Sequence, residues 1–226
     1  MKKQGLEVIL VTDASEGILV AKKQLCEKVT PETLLFLSGG KTPRDLYIKL
    51  ACEQVIKPGV IALVDERYGE PLHQNSNERL IRDCGLVNVE SILQHGKSLF
   101  ETGELYDAKV RKLFLKYAHK VAVMGIGVDG HTAGIPAKSQ KIKVKSQKYD
   151  LVMNVNNFPG EFGQRITLTF RALEQMDLFI VLVFGSEKQS ALNAMFRKGS
   201  EEEIPARFFL RPEIAKKTLL ITDQNV

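Results

Sequence analysis

Val121-Ala-Val-Met-Gly-Ile-Gly-Val-Asp-Gly-His-Thr132 runs from four apolar residues through two glycines to a carboxylate and an imidazole. A short, wholly apolar run bounded by glycine reads as a strand buried on both faces, as in a parallel sheet covered by helices. At the carboxyl end of such a strand, an open α/β sheet faces its ligand crevice. Gly125 and Gly127 permit close backbone approach or positive φ. His131 can take a proton near neutral pH, and Asp129 is placed to orient it. Taken alone, Asp-Gly-His fits a strand-to-loop turn with a surface histidine better than a catalytic loop.

On both sides of this stretch, strand and helix signals alternate. Leu6 to Thr12 reads as a strand and Ala14 to Val29 as a helix, with Pro31 after it. Leu34–Leu37 and Val60–Val64 are further apolar runs of strand length. Thr42-Pro43 predicts a helix start, with Thr as N-cap and Pro at the first helical position. Ser76 predicts a cap for a helix to about Cys84. From Glu101 to His119, the residues Val110, Leu113, Phe114 and Tyr117 fall on one helical face. Leu178–Phe184 and Thr218–Thr222 read as strands, with a helix from Ser186 to Lys198 that turns Leu192, Met195 and Phe196 inward.

The rhythm breaks between Lys141 and Thr169. There Lys141–Lys145, Leu151–Val155 and Ile166–Thr169 are strand-like with no helix between them, and 156–163 reads as a loop. The expectation is an α/β, Rossmann-like three-layer sandwich formed by residues 1–226 as one domain. Its sheet is mostly parallel, with helices on both faces and a small antiparallel excursion.

Composition narrows the function classes. With 226 residues, 44% hydrophobic and 26% charged, the chain has the make-up of a soluble globular protein. A net charge of +5 mildly favours anionic ligands. The basic residues are scattered, so no nucleic-acid partner is expected; the densest stretch, Lys138 to Lys148, reads as a solvated loop or edge strand. No run approaches membrane-spanning length and no signal peptide is apparent, so a cytoplasmic protein is expected. Cys26, Cys52 and Cys84 form no metal or disulfide pattern and read as buried free thiols. The histidines and cysteines show no metal-ligand spacing, and the chain is expected to be a monomer or a weak homo-oligomer.

Three other segments lie at predicted strand ends. Ser38-Gly39-Gly40-Lys41-Thr42-Pro43 exposes backbone N–H groups before a helix, a phosphate-binding arrangement or a plain tight turn. It is neither a Walker A loop nor a dinucleotide fingerprint. Asp65-Glu66-Arg67 follows five apolar residues and reads as a polar crevice or a structural ion cluster. Asn75-Ser76-Asn77 begins eight residues beyond Arg67. Gly185-Ser186-Glu187-Lys188 puts a lysine in a first helical turn, where acids are preferred; a bound phosphate or a pair with Glu187 would each resolve this.

In order, these segments read Ser-Gly-Gly-x-Thr-Pro, Asp-Glu-Arg, Ser-Asn, Met-Gly-x-Gly-x-Asp-Gly-His-Thr-Ala, Arg-Ile-Thr-Leu-Thr and Gly-x-x-Lys. The series resembles the 6-phosphogluconolactonase family, in the superfamily that also holds glucosamine-6-phosphate deaminase. It spans nearly the whole chain.

The resemblance implies hydrolysis of a sugar-phosphate lactone, 6-phospho-D-glucono-1,5-lactone, in the oxidative pentose phosphate pathway, with no metal and no organic cofactor. It implies catalytic roles for His131, Asp129 and Arg67. Gly39, Gly40 and Thr42 match the phosphate-side loop, and Lys188 and Arg165 match basic residues aimed at the phosphate. Ser38, Asp65 and Asn77 complete the expected substrate contacts.

The chain departs from the family's pattern after Ala133. There Gly134-Ile135-Pro136 replaces a longer segment with an aromatic, and Arg171 stands where a proline is usual. Deaminase chemistry shuttles a proton between two sugar carbons, and in that family a glutamate follows the Asp-Gly-His loop closely. Here Gly134 to Lys138 contain no acid. A sugar-phosphate sensor would be expected to carry a fused DNA-binding segment, for which the chain has no spare length.

Overall fold

The structure is a computed structural model and describes residues 1–138 and 150–226. The strand read over Lys141–Lys145 and all but the first residue of the basic stretch lie outside the described residues.

The chain opens with β1 (Lys2–Lys3), β2 (Leu6–Leu10), α1 (Ala14–Lys28) and β3 (Thr33–Leu37). Then come α2 (Arg44–Glu53), β4 (Val60–Leu63), β5 (Asp65–Arg67), α3 (Asn77–Asp83), α4 (Leu99–Lys116) and β6 (His119–Gly125). β7 (Val152–Val155), β8 (Arg165–Leu168), α5 (Phe170–Leu173) and β9 (Leu178–Val183) follow. The last elements are α6 (Gln189–Phe196), α7 (Pro212–Ala215) and β10 (Thr218–Thr222).

Seven strands form the main sheet in the order β1-β2-β10-β9-β6-β3-β4, parallel except for the β1 edge. All five side chains of β3 are fully buried, so both faces of the sheet are covered there. After β3 the chain moves outward to β4, returns to β6, and then steps the other way to β9 and β10. The reversal falls between β3 and β6, and at such a switch point the loops leave a crevice at the carboxyl ends of the strands.

A second sheet, β5-β8-β7, is antiparallel throughout. It grows out of the first at one residue. Val64 N donates to Leu37 O at 3.0 Å in the main sheet, while Val64 O accepts from Leu168 N at 2.9 Å in the small one. The strand therefore changes partners between Val64 and Asp65. The expected antiparallel excursion exists among the described residues, but β5 supplies one of its strands.

Local signals account for most element ends. Ser76 caps α3, its side chain accepting from Arg79 N at 3.1 Å. Ser98 and Glu101 form a reciprocal capping box, so α4 starts at Leu99 rather than Glu101 and ends at Lys116, before His119 enters β6. Thr42 is not the cap of α2: the helix starts at Arg44 behind Pro43, and Lys41 to Pro43 form a turn. The helix read from Ser186 begins as a 3-10 turn over Ser186–Lys188 and becomes α-helical at Gln189.

Of the three thiols, only Cys84 is buried. The buried face of α1 runs through Gly17, Ile18, Ala21 and Leu25, and that of α2 through Leu46, Tyr47 and Leu50. Cys26 and Cys52 fall outside these faces and are exposed, which corrects the expectation for both. No helix among the described residues is long and apolar enough to cross a membrane.

Candidate functional site

The loops after β3, β6 and β9 and the strand β5 meet around the switch point. Ser38 N donates to Val123 O at 3.1 Å, which joins the β3 and β6 ends. Gly134 N donates to Thr167 Oγ1 at 2.9 Å, which joins the loop after β6 to β8.

In the loop after β6, His131 Nδ1 lies 2.6 Å from Asp129 Oδ1, and the same oxygen accepts from His131 N at 3.1 Å. Burial works against the Asp129 charge, but its hydrogen bond and attraction to His131 prevail and hold its pKa at about 2. An ionised carboxylate only accepts, so Nδ1 carries the proton in this pair, and in the neutral imidazole Nε2 is then the acceptor. Gly127 makes room for the ring, because a Cβ there would lie 2.0 Å from His131 Nδ1.

β5 divides its three side chains between two faces, as the pleat requires. Glu66 points away from the crevice and is fully buried. It accepts from Arg67 N (2.7 Å), Ser76 Oγ (2.8 Å), Asn77 N (2.7 Å) and Glu78 N (2.9 Å). Burial pushes its pKa up and these donors oppose the shift. Glu66 thus ties β5 to the start of α3, and this half of the Asp-Glu-Arg segment is structural.

Asp65 and Arg67 face the other way, beside Thr167 and Arg165 of β8. Arg67 and Arg165 are direct cross-strand partners, a like-charge placement that is unfavourable without an anion. Asp65 meets part of that need, its Oδ2 lying 3.4 Å from Arg165 Nη1. Arg165 is nearly buried, which lowers its pKa; Asp65 opposes that shift and Arg67 adds to it. Arg67 Nη1 donates to Asn75 O at 2.9 Å, while its buried Nε has no partner among the described residues.

Asn77 and Ser38 bring the β3 loop to the same place. Asn77 Nδ2 donates to Asp65 O at 2.8 Å. Asn77 Oδ1 and Ser38 Oγ are both buried without a partner among the described residues. Unsatisfied buried polar atoms are costly, so three of them around one crevice mark a place where a polar ligand would be held. Gly39 packs directly on Asn77: a Cβ there would lie 1.8 Å from Oδ1. Gly39→Ala should therefore displace Asn77, at about 1–3 kcal/mol for overpacking. The check is a thermal melt, in which roughly 2–4 °C is lost per kcal/mol for a chain of this size; an unchanged Tm would mean that the loop yields freely.

Lys188 is half-buried and burial lowers its pKa. Its Nζ donates to Ile126 O at 2.9 Å, and among the described residues it forms no ion pair with Glu187. The lysine is thus aimed at the loop that carries Asp129 and His131.

Nine of the expected residues lie in this cluster of strand ends, and Gly40 and Thr42 border it in the β3 loop. Thr42 makes no side-chain hydrogen bond among the described residues. Sequence reading had no signal for Phe158 and Phe162, whose rings pack on the guanidinium groups of Arg165 and Arg67 at 4.2 and 5.8 Å. Among the described residues, no group of three or more His, Cys, Asp and Glu side chains is placed to hold a metal ion.

The family model for glucosamine-6-phosphate isomerases/6-phosphogluconolactonase matches residues 9–219. A 6-phosphogluconolactonase of Xylella fastidiosa is 30% identical over 188 residues, covering 76% of this chain and 75% of its own length. The crystal structure of 6-phosphogluconolactonase from Thermotoga maritima matches with a TM-score of 0.75 at 25% identity, over 97% of this chain and 99% of that one. A monomeric glucosamine-6-phosphate deaminase matches with a TM-score of 0.77 at 17% identity, over 96% and 97% of the two chains, which is a likeness of fold alone. The family match runs from β2 into β10 and takes in every strand end described above, and the chain belongs to the glucosamine-6-phosphate isomerase/6-phosphogluconolactonase family.

Proposed function

We propose that the chain is a hydrolase of 6-phospho-D-glucono-1,5-lactone, producing 6-phosphogluconate for the oxidative pentose phosphate pathway. The observation that carries this reading is the Asp129–His131 pair at the switch point, set against the crevice of Arg67, Arg165 and unpartnered polar atoms. The lactonase relatives support the choice of substrate.

In this reading the phosphate binds between the loop of Gly39, Gly40 and Thr42, Arg165 and Lys188, with Ser38, Asp65 and Asn77 lining the sugar. His131 Nε2 takes a proton from a water molecule, whose oxygen attacks the lactone C1. Asp129 holds the tautomer and stabilises the imidazolium that forms. Arg67 faces either the oxyanion at C1 or the sugar hydroxyls. When the tetrahedral intermediate collapses, the bond from C1 to the ring oxygen breaks, and that oxygen receives the proton from His131. Water is consumed and no cofactor takes part.

The test is hydrolysis of freshly generated lactone, corrected for spontaneous ring opening, with glucosamine 6-phosphate assayed in parallel. Lactone turnover well above the spontaneous rate, unchanged by EDTA, is expected. Turnover of glucosamine 6-phosphate instead would establish the deaminase reading. Loss of activity in EDTA, restored by a divalent ion, would overturn the metal-free mechanism.

A further inference from the structure

Phe158 lies in the connection 156–164 between β7 and β8. Its neighbours Asn156, Asn157, Pro159, Gly160 and Glu161 are all exposed, yet Phe158 is only 7% exposed. The loop is pinched to hold it inward: Phe158 N donates to Gly163 O at 2.9 Å, and Tyr68 N donates to Gln164 O at 3.0 Å. This buried ring is not part of the main hydrophobic core. Its ring meets two charged or ionisable groups of the site. Arg165 Cζ sits 4.2 Å from its centroid, and the His131 ring meets it at 5.1 Å and 85°.

Each of those groups has few other restraints. The His131 side chain is tethered by Asp129 alone among the described hydrogen bonds, at 2.6 Å. Arg165 donates from Nε to Phe162 O at 3.2 Å and reaches Asp65 at 3.4 Å. One polar tether leaves an imidazole free to swing about it, and a long ion pair leaves a guanidinium free to tilt. A rigid aromatic face shared by both removes these motions, and it attracts cationic guanidinium through its quadrupole.

We propose that Phe158 is a positioning residue that sets the aim of His131 and Arg165 together, coupling proton transfer to anion binding. This rests on the reading of His131 as the base. It predicts an effect unlike that of either partner: loss of the ring should lower kcat through His131 and raise KM through Arg165 in the same variant. Cation–π contacts of this kind correspond to about 3- to 30-fold in an equilibrium constant.

Wild type, His131→Ala, Phe158→Leu and Phe158→Tyr are compared on the lactone, each with a thermal melt. Phe158→Leu should lose about 3- to 30-fold in kcat and gain a similar factor in KM, and Phe158→Tyr, which keeps the ring, should recover most of both. If Phe158→Leu does not fold, pentafluorophenylalanine at position 158 keeps the shape but reverses the ring's electrostatics, and the rise in KM is then the expected result. A leucine variant with wild-type constants overturns the proposal, as does a tyrosine variant impaired as badly as leucine or a fluorinated ring without effect. If His131→Ala retains wild-type turnover, the base assignment itself fails. If His131→Ala is inactive and Phe158→Leu is unchanged, only the role of Phe158 fails.

Discussion

Replacing His131 with alanine should lower kcat by about 10²- to 10⁴-fold, the usual share of a general base. The expectation follows from geometry. With Asp129 held ionised at about 2, its Oδ1 takes the proton-bearing side of the imidazole and leaves Nε2 to act on water. The same low value keeps Asp129 charged throughout the neutral range, so it does not contribute an acid limb there. KM should change little, since the phosphate contacts are made by other residues. The measurement is steady-state hydrolysis of the lactone, corrected for spontaneous opening. A variant that keeps near wild-type kcat would remove His131 from the mechanism and leave Asp129–His131 as a loop-stabilising pair.

Lys188→Ala should weaken binding more than it slows chemistry. The phosphate is remote from the lactone carbon, so its contacts are nearly equal in the ground and transition states, and losing them raises KM with little change in kcat. A charge-assisted hydrogen bond of about 1.5–3 kcal/mol corresponds to roughly 10- to 150-fold. The structure sharpens the control. Lys188 Nζ also donates to Ile126 O, so alanine removes a brace from the loop that carries His131. Loss of that brace would harm every substrate, whereas loss of a phosphate contact spares unphosphorylated gluconolactone. The expected result is a large rise in KM for the phosphorylated lactone and a small one for its unphosphorylated counterpart. Equal damage to both would make Lys188 a structural residue and move the phosphate elsewhere.

Much of this site was legible in the sequence because its residues sit where apolar runs stop. Val60 to Val64 followed by Asp65, and Val121 to Met124 followed by Gly125, show local changes from buried to polar, and burial is written in composition. The α/β class follows from the same signals, and so does the Ser76 cap. Pairing does not. That β3 lies between β6 and β4, with the switch point beside it, depends on contacts between segments far apart in the chain. The register that sets Arg67 opposite Arg165 joins residues about a hundred positions apart, and Arg165 entered the sequence reading only through the family resemblance. Glu66 and Arg67 are adjacent acidic and basic residues; only the pleat of β5 sends one to the start of α3 and the other to the crevice. Phe158 reads as one more residue of a polar loop, because the two groups that pack on its ring, His131 and Arg165, meet it only when the tertiary structure forms.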